Sequence, residues 1–111
     1  MNKKKSKSKE KINNSILQLK KEGNRIVLFV GRITLQKGPD YFLQAAKRVL
    51  EYVPNTLFII AGTGDMEAQI IQEAARLGIS KNVLFPGFLR EPELTSVYQA
   101  ADLYVLSSVS E

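Results

Sequence analysis

RIVLFVG (residues 25–31) and TLFIIAG (residues 56–62) decide the fold. Each is an unbroken run of β-branched, aliphatic and aromatic residues that closes on a glycine. A strand with one wet face alternates apolar and polar residues. An unbroken run suits a strand covered on both faces, as in a parallel sheet. The residues between the two runs change period. Phe42, Leu43, Ala46, Val49, Leu50 and Val53 recur at helical spacing. Pro39 suits the first helical position, and Pro54 ends the helix. Strand, helix and strand in this order make one βαβ unit.

The same alternation continues outward. After Gly62-Thr63-Gly64, Asp65 is placed to cap a helix whose apolar face is Met66, Ile70, Ile71, Ala74 and Leu77. Gly78 followed by Ile79 predicts a left-handed helix end with its hydrophobic contact. NVLFP (82–86) is a shorter third strand, followed by Gly87. Pro92 opens a short helix carrying Leu94, Val97, Tyr98 and Ala101, and DLYVL (102–106) is a fourth strand. Tyr98 and Tyr104 read as packing residues. Upstream, Ile12, Ile16, Leu17 and Leu19 give a weak helical pattern that runs to Glu22 and stops at Gly23. Repeated βαβ units with right-handed crossovers predict an α/β fold: a Rossmann-like three-layer α/β/α sandwich around a four-stranded parallel sheet.

A chain of 111 residues allows one such domain. It contains no cysteine and no histidine, so disulfides, thiolate or imidazole metal sites and Ser-His-Asp catalysis are excluded within it. No apolar run approaches the roughly 18–20 residues of a spanning helix. The basic start leads into no apolar stretch, so it does not read as a signal peptide, and a cytoplasmic location is expected. The net charge of +5 is unevenly distributed. Residues 1–11 hold six lysines against Glu10, whereas residues 12–111 hold ten bases and ten acids. The lysine-serine tail is disordered by composition, and the domain from residue 12 onward is neutral. No aromatic residue interleaves with these lysines and no basic stripe continues past them, so no nucleic-acid partner is expected.

Ligands of open α/β sheets bind at the carboxyl ends of the strands. That edge collects Gly31-Arg32 with Lys37-Gly38, then Gly62-Thr63-Gly64, Gly87-Phe88-Leu89-Arg90, and finally Ser107, Ser108, Ser110 and Glu111. Glycines, cations and hydroxyls on one edge suit a phosphorylated, hydroxyl-rich ligand. Arg32 offers a planar fork and Lys37 a point charge, a pair suited to a diphosphate. Gly62-Thr63-Gly64 departs from the dinucleotide fingerprint, because Glu67 stands at the third glycine position. It fits either a plain strand-to-helix turn or a turn that presents amides to an anion. No GK[ST] follows Gly31, which argues against a P-loop. Phe88 suits packing against a base or sugar, and equally shielding of the sheet edge.

Four stretches together, FVGRITLQKGPDYFLQAA (29–46), LFIIAGTGDM (57–66), LGISKNVLFPGFL (77–89) and LTSVYQAADLYVLSSVSE (94–111), resemble one family. It is the nucleotide-sugar-binding C-terminal domain of the group 1 glycosyltransferases, retaining enzymes of family 4 with the GT-B fold. The resemblance runs from Arg25 to the end of the chain. It implies that Arg32 and Lys37 grip the donor diphosphate, with Gly31 and Gly38 in the same loop. It sets Gly62 and Gly64 in a turn beside the donor and brings the backbone of Gly87, Phe88 and Leu89 near the base. Ser108 is expected at the donor, and Glu111 aligns with a carboxylate that contacts the donor sugar. The implied chemistry is sugar transfer to an acceptor hydroxyl with retention, without a metal or other cofactor.

In the family pattern this glutamate continues into Pro-Phe-Gly, with a second glutamate eight positions on, and an N-terminal lobe binds the acceptor. The resemblance therefore implies a fragment, inactive alone, whose parent takes a sugar or lipid-linked acceptor and, in the lipid case, associates with a membrane. A nucleotide-sugar-binding remnant without catalysis shares every motif. A small regulatory α/β module of the receiver type is disfavoured, because Gly31-Arg32 stands where that class needs paired acids.

Overall fold

The computed structural model describes residues 16–34 and 38–105. Its elements are β1 (Arg25–Val30), α1 (Pro39–Tyr52), β2 (Thr56–Ala61), α2 (Glu67–Arg76), a 3₁₀ turn (Ser80–Asn82), β3 (Val83–Gly87), α3 (Glu93–Ala100) and β4 (Leu103–Val105). Residues 16–21 form a helical segment ahead of β1. The strands lie in the order β3-β2-β1-β4, and every pairing is parallel.

Right-handed crossovers account for this arrangement. The first two move in one direction and lay α1 and α2 on one face. The third returns past β1 and lays α3 on the opposite face. The side chains divide accordingly. Phe29, Phe58 and Ile60 point into one core with Phe42, Leu43 and Ala46 of α1 and Ile70 and Ala74 of α2. Ile26, Leu28, Leu57 and Ile59 point into the other, with Val97 and Ala100 of α3 and Ile16 of the leading segment. Alternation along β1 and β2 feeds both cores, so β2 is buried over its whole length. The Phe42 ring anchors the first core, 5.1 Å from Phe29 and 5.8 Å from Phe58 between centroids.

Several local expectations hold. Pro39 is the first residue of α1, which ends before Pro54. Gly78 takes φ +76, its amide donates to the Ala75 carbonyl and the Ile79 amide to that of Ala74, the double closure of a Schellman end. Ile79 is buried in the first core.

Other expectations need correction. Asp65 does not cap α2, which starts at Glu67 without a side-chain cap. Backbone acceptors replace it: the Met66 amide donates to the Ile33 carbonyl and the Glu67 amide to that of Gly64. β3 starts one residue later than predicted, because Asn82 belongs to the 3₁₀ turn. Its side-chain amide donates to the carbonyls of Pro54 and Thr56. Pro86 fits in β3 because this strand lies at the sheet edge, and the register with β2 slips there. β4 begins at Leu103 rather than Asp102. The expected tail at 1–11 and the start of the folded domain at residue 12 lie outside the described residues.

Asp102 instead fastens the sheet. Its amide donates to the Ile26 carbonyl, while its carboxylate accepts the Ile26 amide at 2.8 Å and the Lys20 ammonium at 2.9 Å. The Ile26 amide, and then Lys20, hold its pKa below the usual carboxylate range. A lowered folded pKa means that this stabilisation is present above the unfolded value and is lost as pH falls through the folded one. Asp102→Ala should cost about 1–2 kcal/mol at neutral pH. Asp102→Asn should flatten the loss of stability below about pH 4. Urea titrations across that range check both, and an unchanged acid limb in Asp102→Asn would remove Asp102 from the account.

Candidate functional site

The loops after β1, β2 and β3 meet at one edge of the sheet because their backbones are bonded to one another. The Gly31 amide donates to the Ala61 carbonyl, the Ile33 amide to that of Thr63, and the Gly62 amide to that of Gly87. This close fit requires glycine at two positions. A Cβ on Gly62 would lie 1.9 Å from the Gly31 oxygen, and one on Gly64 would lie 2.3 Å from the Ile33 oxygen.

The junction surrounds a cleft of about 320 Å³. Val30, Ala61, Leu89 and Leu94 supply its apolar wall. Gly31, Arg32, Gly62, Thr63 and Phe88 complete the lining. Ile33 and Leu89 are both buried and anchor the loops that carry Arg32 and Phe88. Arg32 itself is exposed, and its guanidinium makes no hydrogen bond or ion pair with the described residues. Its charge and donors are therefore uncommitted at the cleft wall.

Five of the predicted site residues, Gly31, Arg32, Gly62, Phe88 and Leu89, line this one cleft. Gly87 accepts the Gly62 amide, and Gly64 packs against the Ile33 backbone. The two glycines of the turn thus have a packing reason. The amides of Gly62, Met66 and Glu67 are spent on backbone carbonyls, which removes them as anion donors. Gly38 is not brought to the cleft. It caps the start of α1 and borders a separate apolar groove between α1 and β4. Lys37, Ser108 and Glu111 lie outside the described residues.

Two contributions were missed by pattern reading. Leu94 reads as a core position of α3 yet reaches the cleft. Arg90 places its guanidinium 5.5 Å from the centre of the Phe88 ring. The available signal was an apolar leucine between an aromatic and a cation just past β3: Leu89 is buried, and Phe88 and Arg90 on either side of it are exposed.

Residues 9–111 match the family of group 1 glycosyl transferases. The chain belongs to that family. It is 38% identical over 90 residues to an uncharacterized glycosyltransferase of Methanocaldococcus jannaschii, covering 81% of this chain and 23% of that protein. The C-terminal domain of a group 1 family glycosyl transferase from Francisella tularensis superposes with a TM-score of 0.73 at 25% identity, covering 86% of this chain and 53% of that one. The Anabaena protein HepE, solved in complex with UDP, superposes with a TM-score of 0.71 at 22% identity, covering 94% of this chain and 28% of that one. The group 1 chain thus has the fold of the C-terminal domain of GT-B glycosyltransferases. It spans between a fifth and a quarter of the length of the curated relatives it matches.

Proposed function

We propose that this group 1 domain binds the diphosphate of a nucleotide-sugar in the cleft, as the donor half of a retaining glycosyltransferase of family 4. The observation that carries this reading is Arg32: an uncommitted guanidinium on the wall of a cleft at the carboxyl edge of a parallel sheet. In transfer, the bond between the anomeric carbon and the diphosphate oxygen breaks, the acceptor oxygen bonds to that carbon, and the acceptor's hydroxyl proton passes to the departing diphosphate. Negative charge grows on the departing diphosphate. A fixed cation beside it stabilises that charge without reorganising. Lys37, paired with Arg32 by the family resemblance, adds a second positive charge, and the reading assigns this neutralisation to the two side chains rather than to a metal ion.

Glu111 and Ser108 take the sugar end of the donor in this reading, and Gly38 shapes the loop that carries Lys37. The acceptor hydroxyl must come from a second lobe, since transfer needs both reactants aligned in a closed site. We therefore expect no transfer by the 111-residue chain alone; turnover by the purified chain would contradict that division of labour.

Because HepE was solved with UDP, UDP is the first ligand to test. Calorimetric titration of this chain should show UDP binding more tightly than UMP, with the difference reduced by Arg32→Ala. Equal affinity for UDP and UMP, or no response to the substitution, would overturn the diphosphate assignment.

A further inference from the structure

We infer that the Thr63 hydroxyl is a second anchor for the ligand's diphosphate: it holds the phosphate that carries the nucleoside, while Arg32 holds the phosphate that carries the sugar. This rests on the diphosphate reading of the cleft. Packing explains the two glycines of the Gly62-Thr63-Gly64 turn, but not the threonine between them. The glycines fit against the Gly31 and Ile33 backbones, and the amides of Gly62, Met66 and Glu67 are spent on carbonyls. The Thr63 side chain is spent on nothing. It is exposed, it lines the cleft, and its hydroxyl makes no hydrogen bond with the described residues. Of the side chains that line the cleft, only those of Arg32 and Thr63 carry polar atoms.

The sheet fixes how these two residues stand to each other. Val30 and Ala61 are the last register partners of β1 and β2. The Gly31 amide donates to the Ala61 carbonyl at 3.1 Å, and the Ile33 amide to the Thr63 carbonyl at 2.9 Å. The parallel register thus runs two residues past the strands and sets Arg32 opposite Thr63, on backbones about 5 Å apart. Adjacent phosphates of one ligand meet both groups at once. Arg32 takes the outer phosphate, because its loss is expected to narrow the gap between UDP and UMP. The inner phosphate then falls to Thr63, on the β3 side of Arg32. The outer phosphate gains charge as the sugar leaves, which suits a cation, whereas the inner one is an affinity contact that a neutral hydroxyl can make. Threonine is stiff at χ1 and its carbonyl is bonded to Ile33, so few hydroxyl positions are open before the ligand arrives.

Calorimetric titration of the full chain with UDP and with UMP tests the assignment. Thr63→Val removes the hydroxyl and keeps the branched shape. It should weaken both nucleotides by the same factor, about fivefold to tenfold. Thr63→Ser keeps the hydroxyl and should bind both within about twofold of the unsubstituted chain. Arg32→Ala, in contrast, should weaken UDP more than UMP. Thr63 is exposed, so the urea midpoints of both Thr63 variants should stay close to that of the unsubstituted chain. The inference is overturned if Thr63→Val binds both nucleotides unchanged while Arg32→Ala behaves as expected. It is also overturned if Thr63→Val weakens UDP alone, since the hydroxyl would then serve the outer phosphate. Equal losses in Thr63→Ser and Thr63→Val would overturn it too, because the hydroxyl would then not be what matters. If the unsubstituted chain binds neither nucleotide, or Arg32→Ala affects neither, the diphosphate reading itself fails and the Thr63 assignment falls with it.

Discussion

Arg32→Ala is expected to weaken the binding of a nucleoside diphosphate by about 10- to 100-fold, the effect of removing one charge-assisted hydrogen-bonding group. Where transfer is measured in a protein carrying the whole cleft, kcat/KM should fall about 10²- to 10³-fold. The two readouts separate two roles. A purely ground-state interaction lowers both by the same factor. An interaction that tightens as the diphosphate departs lowers kcat/KM further than affinity. The second pattern is expected, because the guanidinium is uncommitted among the described residues and its loop is pinned through buried Ile33. It is exposed and has no partner among the described residues to give up. Arg32→Lys should recover only part of the deficit, since lysine keeps the charge but cannot offer two parallel donors. An unchanged affinity in Arg32→Ala would show that the cleft holds its ligand by other groups.

Gly62→Ala should cost about 3 kcal/mol or more, against a total near 5–15 kcal/mol for a domain of this size. Two effects add. The residue has φ +139, and its Cβ would lie 1.9 Å from the Gly31 oxygen. That oxygen belongs to a backbone held by the Gly31–Ala61 hydrogen bond, so relief would require parting the β1 and β2 loops. Gly78→Ala is the informative comparison. There φ is +76 and nothing lies within 4 Å of the added carbon. Only the left-handed conformation is penalised, at about 1–2 kcal/mol. Urea midpoints of the two variants measure the difference, provided the denaturant slopes agree. If Gly62→Ala is no more costly than Gly78→Ala, the loops are not packed as described. Where Gly62→Ala still folds, UDP binding should disappear with it, because the displaced loop carries Arg32.

The elements themselves were legible in the sequence. The bounds of β1 and β2, the proline entry and exit of α1 and the Gly78 closure of α2 all follow from residues within a few positions of each other. Hydrophobic period, glycine and proline act locally, and parallel strands with right-handed crossovers leave little choice of order. Where the ladder met a proline or a side chain with a distant partner, the expected bounds slipped, as at the starts of β3 and β4.

The candidate site was legible as an edge but not as an arrangement. Sequence alone indicated that Gly31, Arg32, Gly62, Phe88 and Leu89 belong at the carboxyl ends of strands, because strand direction is common to a parallel sheet. Only the tertiary structure decided that these five share one cleft while Gly38 borders another. Only it decided that the Gly62-Thr63-Gly64 turn is a packing device, that Met66 and Glu67 find backbone acceptors in place of an Asp65 cap, and that Asp102 reaches Ile26 across 76 positions. The reason is one of range. Periodicity reports which face a residue takes on its own element, whereas a partner dozens of residues away is set by register and loop approach, and those exist only once the sheet has assembled.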